Sequence, residues 1–217
     1  MEEKKPCMKI TLTVTKPSIF ESKVGGIGYI PHDADFPKDS KGNQLRLLAK
    51  IECEKIQLDE FPKKRLLQFW ILNDDVAGIN DDNGFRVIYY PETDKSVTEE
   101  DIMKKFVRNE FDDNKRLEYL GFTIYGKYGM SFEKSENYSD TFHQIGGYPY
   151  FAQYDIRTDD YNVMQKYDFL LFQLNTEWDG DKCRIEWCDT GTGHFFISTE
   201  KLKNLDFSDI LYSWDCC

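Results

Sequence analysis

Three histidines and a scatter of carboxylates are the residues here best able to do chemistry. They are His32, His143 and His194, with Asp33 and Asp189 among the acids near them. An imidazole can act as a general base near neutral pH or as a metal ligand. Gathered with one carboxylate, these histidines would suit a hydrolase or a metal-dependent enzyme. Their spacing does not gather them, because no two share a helix face. Solvated or hydrogen-bonded histidines are the plainer expectation. Asp189 opens the run Asp189-Thr190-Gly191 between two predicted strands. Aspartyl chemistry needs two carboxylates that share a proton, and no second Asp-Thr-Gly accompanies this one. Residues 73–85, NDDVAGINDDNGF, are the densest acidic stretch. With Gly84 as the central glycine of a calcium loop, Ile79 and Tyr90 would stand where the first and last oxygen ligands belong. A solvated acidic loop is expected, with no metal and no cofactor.

Two glycine pairs raise a different possibility. Residues 23–31 read KVGGIGYIP and residues 144–152 read QIGGYPYFA. A phosphate-binding loop needs a helix to follow its glycines. Pro31, Pro149 and the aromatic residues favour extended chain instead. The glycines therefore read as structural corners, with positive φ or close backbone approach at Gly25 and Gly146. Aromatic side chains around them, Tyr29, Tyr150 and Trp70 above all, are ligand-binding candidates if they line a groove, and core residues otherwise.

The elements that must position these residues are mostly strands. ITLTV at 10–14 alternates apolar and polar residues, as a half-buried strand does. Residues 47–51, LLQFWIL at 66–72 and FLLFQL at 169–174 are continuous apolar runs, the mark of strands buried on both faces. FRVIYY at 85–90 has strong β propensity. Thr98 with Glu99, Glu100 and Asp101 starts a helix whose apolar face runs through Phe106 and Phe111, so a helix is predicted over 98–113. Residues 117–132 read as one or two strands, 184–187 and 194–197 as two more, and Ser198 or Thr199 caps a short helix. Val24-Gly25-Gly26, Leu47–Ile51 and Phe69–Ile71 recur in order as Ile145-Gly146-Gly147, Leu170–Leu174 and Phe195–Ile197. The offsets are 121, 123 and 126. The chain is expected to be a single mainly β (α+β) domain over 1–217, antiparallel and roll-like, with repeat halves at about 22–71 and 143–197.

Composition narrows the function. The 217 residues carry 39 acidic and 28 basic side chains, a formal net charge of −11. That field repels a phosphate backbone and excludes nucleic acid as a partner, while it favours a basic protein. No apolar run is long enough for a membrane span, and the N-terminus lacks the apolar core of a secretion signal. A cytoplasmic location is expected, with the six cysteines reduced.

Six segments taken in order also carry a resemblance: FESKVGGIGYIP, LRLLAKIECEKI, FPKKRLLQFWI, GFRVIYY, HQIGGYPYFAQ and TEKLKNLDFSDILYSWDC. From about residue 9 to 217 the chain resembles the YwqG-like family, a bacterial-type domain of unknown function. The resemblance implies one mainly antiparallel β domain in a roll-like arrangement, and it brings no catalytic residues. The family pattern expects proline where Gly28 stands, which predicts a freer first corner. The function expected is a non-catalytic binding or interaction module, with the hydrolase or metal-dependent enzyme as the alternative.

Overall fold

The structure is a computed structural model that describes residues 4–109, 123–137 and 142–216. The strands are β1 (Lys5–Thr13), β2 (Lys23–Gly25), β3 (Arg46–Glu52), β4 (Leu66–Ile71), β5 (Phe85–Tyr90), β6 (Lys127–Asn137), β7 (His143–Gly146), β8 (Phe169–Asn175), β9 (Glu177–Asp179), β10 (Lys182–Ile185), β11 (Thr192–Ile197) and β12 (Leu211–Asp215). The helices are α1 (Glu99–Met103), α2 (Tyr161–Lys166) and α3 (Thr199–Lys203). The fold is mainly β and its strand pairs are antiparallel. The described chain falls into two compact units. Residues 12–52, 64–109 and 123–130 belong to the first, and residues 4–11, 53–63, 131–137 and 142–216 to the second.

In the first unit the strand order is β6-β2-β3-β4-β5. All six residues of β4 are buried, as a continuous apolar run requires when both sheet faces are covered. Tyr29, Phe36, Leu47, Leu66, Trp70 and Ile102 belong to one apolar core. In the second unit the order is β12-β11-β8-β7-β1. Its core includes Ile145, Phe172, Phe195, Phe196 and Leu202.

The internal geometry of each unit follows one plan. A glycine pair with positive φ ends the short strand: Gly25 and Gly26 at +66° and +69°, Gly146 and Gly147 at +71° and +73°. A Cβ on Gly25 would stand 2.3 Å from the Gly126 carbonyl oxygen. Between β3 and β4, Leu47 pairs with Trp70 and Ala49 with Phe69, leaving Leu48 as a bulge. Between β8 and β11, Leu170 pairs with Phe196 and Phe172 with Phe195, leaving Leu171 in the same role. A row of buried polar side chains crosses each ladder in register. It is Lys23, Lys50 and Gln68 in the first unit, and Gln144, Gln173 and His194 in the second.

Two local expectations change. Helix α1 opens at Thr98 as expected, with a capping box: Thr98 Oγ1 accepts the Asp101 N–H, and the Asp101 carboxylate accepts the Thr98 N–H. It stops at Met103, well before residue 113. The chain beyond is captured by side chains. Gln44 donates to the Lys105 carbonyl and accepts the Val107 N–H, and Arg46 donates to the Val107 carbonyl. These contacts replace the bonds a continuing helix would make. The predicted helix end at 110–113 and the predicted strand at 117–122 lie outside the described residues.

The first glycine corner is also tighter than expected. A Cβ on Gly28 would lie 2.5 Å from the Trp70 ring and 2.9 Å from Gln68 Oε1. The missing proline is thus matched by a ring that occupies the space. Gly28→Ala is expected to destabilise the protein by about 1–3 kcal/mol in denaturant unfolding, and restoration by the double variant with Trp70→Phe would locate the clash. An unchanged midpoint for Gly28→Ala alone would show that the corner has slack.

Candidate functional site

Each glycine corner leads into an extended segment that lies across its own sheet and is held by side chains. In the first unit Gln68 holds both backbone groups of Tyr29, and Lys105 Nζ donates to the carbonyls of Pro31, His32 and Ala34 further along. Gln68 Oε1 accepts the Tyr29 N–H at 2.7 Å, and its Nε2 donates to the Tyr29 carbonyl at 2.8 Å. In the second unit two residues divide the matching bonds to Tyr150, and Gln144 donates to the Tyr148 carbonyl. Gln173 Oε1 accepts the Tyr150 N–H at 2.8 Å, and His194 Nε2 donates to the Tyr150 carbonyl at 2.6 Å. This pinning is hard to see in the sequence, because Gln68 and Gln173 sit inside apolar runs. The signal available was an amide side chain interrupting each of two otherwise apolar strands.

The three histidines have separate settings. His32 is exposed in the first unit, 3.3 Å from Ser96 Oγ and 4.0 Å from Asp94 Oδ2. His143 is buried on β7 of the second unit. Its Nδ1 accepts the Asn175 N–H at 3.0 Å, so its proton sits on Nε2 and is donated to Glu177 at 2.8 Å. Burial works to raise the Glu177 pKa, but His143 and Arg184 outweigh it, and the net direction is downward. With both nitrogens committed, His143 offers no lone pair for general-base work. His194 is fully buried on β11. Burial lowers its pKa to about 4 against the pull of the Tyr150 carbonyl, so it is neutral at pH 7.

The other candidates divide likewise. Asp189 is exposed on the turn between β10 and β11. Tyr29 is buried, packs edge-on against Tyr90 at 5.1 Å between ring centres, and accepts the Asp94 N–H at its hydroxyl. Trp70 is 1% exposed and packs edge-on against Phe36. Both are core residues of the first unit. Tyr150 is half-buried. Among the described residues no group of three or more histidine, cysteine or acidic side chains is arranged to hold a metal ion.

Each unit presents a concave surface among its described residues. The second unit has a cleft of about 580 Å³ whose walls include Lys5, Tyr148, Phe151, Arg157, Met164 and Leu170. Arg157 is spent on structure. It chelates Asp155, donates to the Tyr167 carbonyl and lies 3.9 Å above the Phe196 ring. The first unit has a wider groove of about 950 Å³ walled by Asp39, Asp74, Asp75, Asp81 and Asp82, with Lys41 and Arg108. Asp39 and Asp74 fold their own turns, accepting the N–H groups of Lys41, Asn43, Val76 and Gly78. Asp81 accepts from the Ser40 hydroxyl, which with the Asn83 N–H lowers its pKa and keeps it ionised. Asp75 and Asp82 are exposed and enter no ion pair among the described residues. The acidic loop of the sequence is therefore one wall of a groove.

No helix among the described residues is long and apolar enough to cross a membrane. Residues 22–216 match the family model described as domain of unknown function DUF1963. No curated protein matches the chain.

Proposed function

From the premise that the chain belongs to the DUF1963 family, the YwqG-like proteins, we propose that it is a non-catalytic binding module which receives a basic protein segment in the groove of its first unit. The observation that carries this reading is the charge of that groove. Five aspartates stand on its walls against one lysine and one arginine. Asp75 and Asp82 have their charge free for a partner. The net charge of −11 extends the same field and speeds the encounter with a cationic surface. The setting of His143 weighs against the hydrolase alternative, because both of its ring nitrogens are committed to Asn175 and Glu177. We take the protein to act in the cytoplasm, and we take its two units to descend from one duplicated β unit.

A fluorescent Lys/Arg-rich peptide tests the reading by anisotropy. Binding should weaken as salt shortens the screening length from about 30 Å at 0.01 M to about 10 Å at 0.1 M. The variant Asp75→Asn/Asp82→Asn should bind roughly fivefold to tenfold more weakly. Equal binding of a Glu-rich peptide, or binding indifferent to both salt and the variant, would overturn the proposal.

A further inference from the structure

A second site, unrelated to the acidic groove, is written into strands β11 and β12 of the second unit. Thr192 stands opposite Asp215 and His194 opposite Ser213, in a register without irregularity. Thr192 and His194 are two residues apart on one strand, so all four side chains share one face. Directly opposed positions bring Cβ atoms to roughly 5 Å. Thr192 Oγ1, His194 Nδ1, Ser213 Oγ and Asp215 Oδ1 are each buried, and none has a hydrogen-bond partner. Buried polar atoms are almost always paired. Four orphans side by side on one face call for a cause.

The first unit is an internal control. Its matching positions, fixed by the same ladder, are Leu66, Gln68, Ile88 and Tyr90. Leu66 lies in the apolar core, Ile88 and Tyr90 pack against it, and Gln68 is satisfied at both ends. The framework therefore closes well with apolar side chains at three of the four places. The second unit keeps two hydroxyls and a carboxylate there.

The chemistry of the four atoms selects their ligand. The Tyr150 carbonyl can only accept, so the His194 proton is on Nε2 and Nδ1 presents a lone pair. The other Asp215 oxygen accepts the Gln153 N–H at 2.7 Å. Burial raises the Asp215 pKa against the backbone N–H groups of Gln153, Ala152 and Asp215 itself, and no basic side chain is among the groups acting on it. The charged neighbours of His194 are Asp155 and Arg157, which are paired with each other. The set thus offers two obligate acceptors, two hydroxyls and one negative charge without a cation. The Phe151 ring lies 4.4 Å from the His194 ring and also lines the cleft of this unit.

We propose that Thr192, His194, Ser213 and Asp215 form a site for a primary ammonium group, the head of a small amine that enters past Phe151. An ammonium has three N–H donors and no acceptor. Two donors meet Asp215 Oδ1 and His194 Nδ1, and the third meets a hydroxyl. The carboxylate supplies the counter-charge.

Methylammonium and n-butylammonium chloride are the probes, with potassium chloride and tetramethylammonium chloride as controls at equal ionic strength. The side-chain ¹⁵N signal of His194 Nδ1 should shift saturably with either primary amine and with neither control. Ser213→Ile, which installs the first unit's residue, and the near-isosteric Asp215→Asn should each weaken binding at least about tenfold. If Ser213→Ile does not fold, Asp215→Asn decides alone. No saturable shift, an equal shift with tetramethylammonium, or unchanged binding in Asp215→Asn would each overturn the proposal. So would a high-resolution structure in methylammonium that shows only water against the four atoms.

Discussion

Gln68→Leu lowers the unfolding free energy by about 3 kcal/mol in denaturant titrations. The substitution nearly conserves volume and adds apolar surface to a position with no solvent exposure. By burial alone it would stabilise the protein. It also strips the Tyr29 N–H and carbonyl of their Gln68 partners. Two buried backbone groups left unpaired cost about 1–3 kcal/mol each, which exceeds the gain from the added methyl groups. The effect should appear as loss of protection at the Tyr29 amide in hydrogen exchange as well as in the midpoint. A loss below about 1 kcal/mol, with that amide still protected, would mean that water or another group takes over and that the amide pin is dispensable.

Stability relative to Lys23→Gln rises between pH 8 and pH 10.5, the range in which many proteins begin to lose it. Lys23 and Lys50 face each other across β2 and β3 and are 1% and 0% exposed. Lys50 Nζ donates to the Ser18 carbonyl at 3.3 Å. Burial is the main reason that the Lys23 pKa falls to about 8, with Glu99 opposing and Lys127 assisting. Burial followed by repulsion from Lys23 lowers the Lys50 pKa well below its ordinary value, against the pull of Glu52, Glu21 and Glu99. An unfolded lysine keeps its proton to about 10.4. Between the two values the unfolded chain binds more protons than the folded one, so raising the pH favours folding. Below pH 8 the full penalty is present. For Lys23 the change across the window is about 3 kcal/mol. Other lysines and tyrosines titrate in the same range, and subtraction of the Lys23→Gln curve removes them. The second unit holds Gln144 and Gln173 at these places. Lys50→Gln should therefore raise stability at pH 7 by about 1–3 kcal/mol. A flat difference curve, or a Lys50→Gln variant less stable than the parent at pH 7, would show that the two lysines have solvent or counterions enough.

Many strand positions are legible in the sequence because burial of whole strands leaves a strong trace. FRVIYY matches β5 residue for residue, and the runs at 66–72 and 169–174 mark β4 and β8 to within one residue. Helix α2 left no such trace. None of its residues is buried, so it has no apolar stripe, and Asp160 as its N-cap was the sole local sign. Helix α1 is shorter than its sequence pattern because helical spacing continues through Phe106, while the backbone there is decided by Gln44 and Arg46, some sixty residues away. The candidate sites were less legible still. A histidine in a sequence does not show which of its nitrogens is spent, and His143 and His194 differ only through Asn175, Glu177 and Tyr150. The acidic loop was visible as a solvated stretch. That it forms the wall of a groove depends on Asp39 and Ser40, which enter from a distant turn.

The bulges at Leu48 and Leu171 carry a consequence for how such a chain can change over time. A regular strand returns to the same face every second residue. One extra residue inverts that phase, so Arg46 and Leu47 are read on a frame opposite to that of Ala49 through Glu52. The frame keeps Lys50 and Gln68 inside, and it aims Arg46 at the chain beyond α1. Losing or gaining a single residue in β3 or β8 would act like a frameshift within the strand, exchanging its inward and outward sets at one stroke. Length variation is tolerable in the turns, and within these two strands it is tolerable only in pairs.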